Sequence, residues 1–399
     1  MNRKQLGILL VLAAVIVGAG VVLHRNRNAS WEQQGDATAG TNLLGDFPIN
    51  DITRIAIRHG TNEVNLVKKD DLWRVSERGD YPANFSQIGD FLIKARDLKI
   101  VQSEKVGASQ LARLDLATTG QGTNIATVIE FKGANDKPIK TLFLGKPHLQ
   151  KSTQTSPYGG GGSWPDGRYV KVGDSANVAL ISDPLDTVKP QPDTWLDKDF
   201  FHVEKPKSIE VRFPVATNSW KLTRESETGS WKLADAGPDE KLDTSKISGV
   251  SSPFSSPSFN DVLPGVKLDG SGKNAPTAVN ISTFDGFNYT IHAGSKTNDD
   301  YLLTVAVNAD LPKERVPGKD EKPADKAKLD KEFKDKQQKL ENKLKQEQGY
   351  EKWTYLVPAW TVDPVLKERS QLLVEKKGAT NSVSKAETSK IETAASAVK

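Results

Sequence analysis

Cysteine is absent from the 399 residues. That excludes disulfides, thiolate metal sites, thiol nucleophiles and a lipidated lipoprotein-type cysteine, while leaving the redox compartment open. Histidine is scarce. His24, His59, His148, His202 and His292 include no i, i+4 pair and no H-E-x-x-H, so no metal site is expected. A large net charge is missing as well: 55 Lys and Arg against 51 Asp and Glu leave +4. With no basic cluster interleaved with aromatics, nucleic acid is not expected as a partner. There is no G-x-S-x-G, which removes a nucleophile elbow. Gly270-Ser271-Gly272-Lys273-Asn274 departs from a phosphate loop at both ends: Lys267 stands where the first glycine belongs, and Asn274 where Ser or Thr belongs. Asp70-Asp71 and Asp299-Asp300 fall at turns, where solvated carboxylates are common. The chain is therefore expected to be non-enzymatic, with no catalytic residue and no cofactor.

Long apolar runs are missing too, with one exception. Leu6 to Leu23 is uncharged throughout, with Arg3 and Lys4 before it and His24, Arg25 and Arg27 after it. Its length is at the short end for a bilayer span, and no A-x-A cleavage site follows directly, Ala37-Thr38-Ala39 lying well beyond the run. It predicts a single-pass anchor through the lipid bilayer, with Leu6, Leu10, Val15, Val22 and Leu23 among the membrane-spanning residues. Basic residues flank both ends, so charge barely chooses an orientation. The five residues before the run permit a cytoplasmic N-terminus and a translocated body. Residues 1–29 are thus assigned to an anchor with a short cytoplasmic tail. Residues 30–48, rich in Asn, Gln, Gly, Ala and Thr, are assigned to a flexible tether.

The body repeats itself. Leu72-Trp73-Arg74-Val75 returns as Ser230-Trp231-Lys232-Leu233, an offset of 231 − 73 = 158 residues. Ile55-Ala56-Ile57-Arg58 corresponds to Ile209-Glu210-Val211-Arg212, and Val64 to Lys68 corresponds to Trp220 to Arg224. Period-two patterns make these a β-meander in each copy, with Trp73 and Val75 on one face. Asn84 is a good N-cap, with Gln87 placed to complete a capping box. Ile88, Phe91, Leu92, Ala95 and Leu98 then form one helical face, fit to cover the sheet. In the second copy Asp243 caps a weaker helix carrying Ile247, Val250 and Phe254, shortened by Pro253 and Pro257. Later strand pairs turn at Gly133 to Asp136 and at Asp285-Gly286, the first ending at Gly145-Lys146. Gly159 to Ser163 is a hairpin tip, and Pro184, Pro190 and Pro192 mark a boundary.

The fold class is accordingly α+β. An N-terminal transmembrane helix precedes two tandem copies of one β-meander unit, residues 49–190 and 191–366, each covered by a helix. Residues 309–352 form a charged insertion in the second copy, dense in Lys, Glu and Asp, with Ala324 to Gln348 as helix. Leu329, Phe333, Leu340 and Leu344 line one narrow stripe on it. The stripe fits a helical arm with a solvated surface, or a short coiled-coil contact with a partner. Residues 367–399 are expected to be a disordered tail; from Lys376 they are Ser, Ala, Thr and Lys without periodicity.

Trp73-Arg74-Val75, Tyr81-Pro82-Ala83-Asn84 with its helix, Tyr169-Val170-Lys171-Val172, and Trp195 to Phe201 leading into Ile209-Glu210-Val211 together resemble a bacterial family, domain of unknown function 4340. The resemblance covers about Ile49 to Leu366; the charged insertion and the Lys/Ser-rich tail depart from the pattern. It implies a single-pass protein of the bacterial inner membrane with its body on the periplasmic or extracytoplasmic side. It also implies a membrane complex as partner, of the ABC transporter or gliding-like kind. The expected function is a scaffold or accessory subunit of such a complex. The alternative is a glycan- or peptide-binding module using a cleft between the repeats.

Overall fold

The computed structural model describes residues 39–118, 124–151, 163–268, 270, 272, 275–317 and 321–375. The apolar run 6–23, most of the Gly159 to Ser163 tip and the sequence from Lys376 lie outside the described residues. What is described is mixed α/β, with two antiparallel sheets and few helices. It divides into two compact units between Asp197 and Lys198, seven residues beyond the Pro190 marker (197 − 190 = 7).

The first unit holds β1 (Arg54–His59), β2 (Asn62–Lys69), β3 (Leu72–Val75), β4 (Tyr81–Pro82), β5 (Ile100–Lys105), β6 (Thr127–Lys132), β7 (Pro138–Lys151), β8 (Ser163–Val172) and β9 (Asn177–Ile181). Their order in the sheet is β4-β3-β2-β1-β6-β7-β8-β9-β5. The second unit holds β10 (Pro206–Arg212), β11 (Trp220–Thr223), β12 (Lys232–Leu233), β13 (Asp261–Val262), β14 (Thr277–Thr283), β15 (Phe287–Thr297), β16 (Asp300–Ala309) and β17 (Tyr355–Pro358). Their order is β12-β11-β10-β14-β15-β16-β17-β13. Apart from β4, the two orders are the same strand for strand. The registers agree as well. Ile55 faces Leu66 and Leu66 faces Val75; in the second unit Ile209 faces Leu222 and Leu222 faces Leu233.

Gly145 and Gly294 occupy equivalent positions in the two units. β7 does not stop at Gly145-Lys146. It passes through a bulge between Leu144 and Pro147 and continues, as β15 does between Ala293 and Lys296. A Cβ on Gly145 would lie 2.3 Å from the Leu114 carbonyl oxygen, and one on Gly294 would lie 2.8 Å from the Leu268 side chain. Only glycine fits the approach to backbone at Gly145, whereas at Gly294 the neighbour is the flexible end of a leucine side chain. Beyond the bulge the copies part. Leu149 to Asp166 stands where the second unit has only Asn298 and Asp299 between its strands.

Helix α1 (Phe85–Asp97) starts as its sequence demands: Asn84 Oδ1 accepts the Gln87 N–H at 3.0 Å. Its buried face, Ile88, Phe91, Leu92 and Ala95, covers the sheet, Phe91 lying 5.7 Å from the Phe131 ring and 6.0 Å from Trp195. The second unit lacks the corresponding helix. Residues 243–258 are a succession of turns. Pro253 and Pro257 remove two N–H donors, Gly249 is flexible, and the many serines compete for backbone partners. Asp243 caps a turn instead, accepting from the Ser245 N–H and hydroxyl at 3.0 and 2.6 Å. Ile247, Val250 and Phe254 remain buried without the helix.

Both ends of the body reach further than composition indicates. Within the stretch assigned to the tether, Leu44 and Phe47 are buried, and residues 40–43 bond to Leu98 and Ile100. Within the stretch assigned to the tail, Leu372 is fully buried and Arg369 bonds Asp235 and Glu240. Two or three apolar or ion-paired residues suffice to fix a short segment, and no composition window detects so few.

Trp73 is 6% exposed in the core. Trp231 stands just ahead of β12, outside its paired residues, and is half-buried, with the Arg224 guanidinium 4.7 Å over its ring. Trp73→Ala should therefore cost about 3–5 kcal/mol, and Trp231→Ala about 1 kcal/mol. Denaturant midpoints of the two variants check this; equal losses would contradict it.

Candidate interaction surface

The charged insertion forms one helix, α2 (Pro323–Gln348). Proline suits its first turn, Ala, Lys, Glu, Gln and Leu carry it on, and no β-branched residue interrupts it. Asp325 in the first turn and Lys345 in the last match the helix dipole. Before it, Arg315 grips Glu321 with two nitrogens and reaches Asp330 at 2.7 Å, tying the approach loop to the second turn. Those carboxylates hold the Arg315 guanidinium above its ordinary pKa.

The helix is seated on its own unit by a row of contacts. Leu329, Phe333, Leu340 and Leu344 are all half-buried. Phe333 and Leu340 wall a cavity of about 190 Å³ together with Phe284, Leu311 and Pro312. The stripe thus turns toward the unit that carries it. Beside the cavity, the largely buried Asp285 carboxylate binds Lys336 at 2.8 Å and Lys205 at 3.0 Å. Burial pushes that carboxyl up, but the two ammonium groups outweigh it and hold it below its ordinary value. Further along, Lys343 Nζ donates to the His202 carbonyl at 3.0 Å and to Glu204 at 2.7 Å.

The last turn carries the deepest contact. Glu347 is 3% exposed. It accepts the His202 N–H at 3.1 Å and the Tyr289 hydroxyl at 2.8 Å, with Lys343 Nζ at 3.9 Å. Burial raises the Glu347 pKa, and those donors oppose the rise without cancelling it. Burial, and then the Glu347 charge, raise Tyr289 as well. Such a carboxylate is a peg: withdrawing it leaves two buried donors unpaired, at about 1–3 kcal/mol each. The outer surface of α2 is left to solvent, with Lys326, Lys331, Lys334, Lys339 and Lys345 exposed alongside Glu332, Asp335 and Glu341. A fixed rod of mixed charge with a lysine excess can dock a complementary charged surface without reorganising.

The other residues singled out by sequence do not converge. His59 shares a hydrogen bond with Thr127 at 3.2 Å, His148 pairs with Asp166 at 2.6 Å, and His292 borders a separate groove. Among the described residues no group of three or more His, Asp or Glu could hold a metal ion. Asp70 and Asp71 both sit at positive φ in a turn. The residues named for the membrane, Leu6, Leu10, Val15, Val22 and Leu23, lie outside the described residues. Glu347 and Tyr289 escaped sequence reasoning. Glu347 follows Lys345 and Gln346 at the end of α2, Tyr289 lies on β15, and the partners meet across 58 residues of chain, so no local pattern announces the pair.

A family model described as Domain of unknown function (DUF4340) matches residues 73–278, a little over half of the chain. The chain belongs to this family. No curated protein and no solved structure matches it. The DUF4340 match opens at Trp73 and closes just inside β14, so it takes in α1, the Trp195 to Phe201 bridge and the second meander. Helix α2 lies beyond it.

The seat of α2 makes a pH prediction with a definite sign. The folded-state pKa of Glu347 exceeds its unfolded value. Its contribution to stability is therefore fullest below the ordinary carboxylate range and is lost as pH rises through the folded value. Glu204, held low chiefly by the Lys343 hydrogen bond, and Asp285 have the opposite sign, but they are common to wild type and variant. Relative to Glu347→Gln, the wild type should gain melting temperature on going from about pH 7 to about pH 5. A difference that stays constant, or moves toward the variant, would contradict the assignment.

Proposed function

We propose that this protein is a non-enzymatic, membrane-anchored scaffold or accessory subunit, with its body on the extracytoplasmic side of a bacterial inner membrane. Its partner is a membrane complex of the ABC-transport or gliding-like class. The observation that carries the reading is the seated helix α2. A buried carboxylate, two lysine contacts and an apolar stripe spend one side of the helix on fastening, leaving the other as a rigid charged face. The polar fastening selects one orientation, which an apolar stripe alone would leave loose.

Anchorage rests on the run Leu6 to Leu23. Among the described residues no helix is long and apolar enough to cross a membrane. Placement outside the cytoplasm rests on the resemblance, against Arg25 and Arg27.

Two measurements test it. Alkaline phosphatase fused after Lys399 should be active and green fluorescent protein at the same place dark; the reverse pattern places the body in the cytoplasm. In purification from membranes solubilised under mild conditions, Lys331→Glu/Lys334→Glu/Lys339→Glu should reduce co-purifying transporter components at least tenfold. Exposed charges such as these cost little stability, so the melting temperature should stay within about 2 °C of wild type. An unchanged partner set in the triple variant would contradict the role of α2.

A further inference from the structure

The second unit has no helix where the first has α1, and the segment that replaces it makes a groove. Serine-rich turns from Gly249 to Pro257 face the short helix Ala359–Val362 and the Pro364-Val365 that follows it. The space between them is about 270 Å³. That is just under the range of about 300–1,000 Å³ typical of small-ligand sites, a size for one ring rather than an extended chain.

The lining has three parts. Phe254 and Val365, 4% and 1% exposed, give an apolar floor. Ser252, Ser255 and Ser256 are exposed around it and supply hydroxyls that both donate and accept. Trp360, 65% exposed, offers an aromatic face at the rim. Thr361, also in the lining, has an Oγ1 that is buried with no hydrogen-bond partner among the described residues. None of the lining residues is ionisable, although 27% of the chain is Asp, Glu, Lys or Arg.

Those features narrow the ligand. An ionised group would enter with no opposite charge to meet it and would lose its hydration uncompensated. A purely apolar ligand would leave a rim of hydroxyls without partners. A molecule with a C–H face and a hydroxyl edge satisfies both surfaces: the face lies on the indole, as amphipathic partners of tryptophan do, and the edge exchanges hydrogen bonds with serine. We propose that the groove walled by Trp360 and Ser252, Ser255 and Ser256 binds a neutral carbohydrate, one sugar ring of an uncharged polysaccharide chain. The site lies wholly within the second unit, and it stands or falls independently of the scaffold reading.

The test uses the full chain solubilised in a polyoxyethylene detergent, since a glycoside detergent would itself compete. Maltohexaose, cellohexaose and chitohexaose are titrated, followed by tryptophan fluorescence and by saturation-transfer NMR. At least one should bind saturably. Trp360→Ala should weaken that binding at least tenfold, whereas Trp360→Phe should keep most of it. Trp164→Ala, which removes a 50% exposed tryptophan in the first unit, should leave it unchanged. Because the Trp360 ring is mostly in solvent, the melting temperature of Trp360→Ala should match wild type, separating loss of ligand from loss of fold. The proposal is overturned if folded wild type binds none of the three sugars, or if binding ignores Trp360→Ala. Trp360-dependent binding of a decaproline peptide in place of the sugars also overturns it.

Discussion

In each unit the chain must travel from one edge of its sheet to the other before the sheet can be completed. β3 and β4 lie at one edge of the first sheet, and the next strand, β5, lies at the far edge against β9. At about 4.8 Å per strand the crossing is roughly 35–40 Å. The connecting segment has to run over a face of the sheet, so its own apolar residues must cover that face. This is why α1 exists, why Ile88, Phe91, Leu92 and Ala95 point to Phe131 and Trp195, and why Asn84 starts the helix at the crossing's beginning. The second unit meets the same constraint between β12 and β13, and Ile247, Val250 and Phe254 cover the face from turns instead.

Everything distinctive in each copy is then an elaboration on a fixed strand order. The first copy lengthens the hairpin between β7 and β8 past its bulge. The second keeps that hairpin to a two-residue turn and inserts α2 between β16 and β17. Because β16 and β17 pair directly, Leu303 facing Tyr355, the insertion leaves from and returns to adjacent strands without disturbing the sheet. A long helix attached at two neighbouring points needs further contacts to hold one direction. Lys336 on Asp285, Lys343 on Glu204 and Glu347 on Tyr289 supply them.

How much of this was legible in the sequence follows from the range of each signal. The meanders, the Asn84 cap, the turn at Asp285-Gly286 and the span of α2 rest on residues within a few positions of one another, and all formed as the patterns indicate. Gly286 shows why: at φ +88°, with the Asp310 oxygen 2.4 Å from where a Cβ would sit, no other residue fits that turn. The crossing strands were missed. In β5, Ile100-Val101 is followed by Gln102-Ser103-Glu104-Lys105, and β13 is only Asp261-Val262, so neither carries an apolar alternation. Their partners lie far along the chain and are set by topology. The helix expected after Asp243 failed for the converse reason: its apolar spacing was right, but serine, glycine and proline favour turns, and burial at that spacing does not require a helix. For the interaction surface, the stripe Leu329, Phe333, Leu340 and Leu344 was visible, whereas the direction it faces was not.

The claim that one fold occurs twice is tested most directly at those crossing strands, and a chain without cysteine makes the test clean. Gln102 faces Leu180 in the first unit, and Asp261 faces Leu356 at the equivalent position in the second. Opposed residues of an antiparallel pair have Cα atoms about 4.5–5.5 Å apart, within disulfide range. Gln102→Cys/Leu180→Cys and Asp261→Cys/Leu356→Cys should each close a bond under mild oxidation, seen as a mobility shift on non-reducing gels. The off-register pair Gln102→Cys/Ala179→Cys, with side chains on opposite faces, should not. Closure in the first unit without closure in the second, or equal closure by the off-register pair, would contradict a shared strand order.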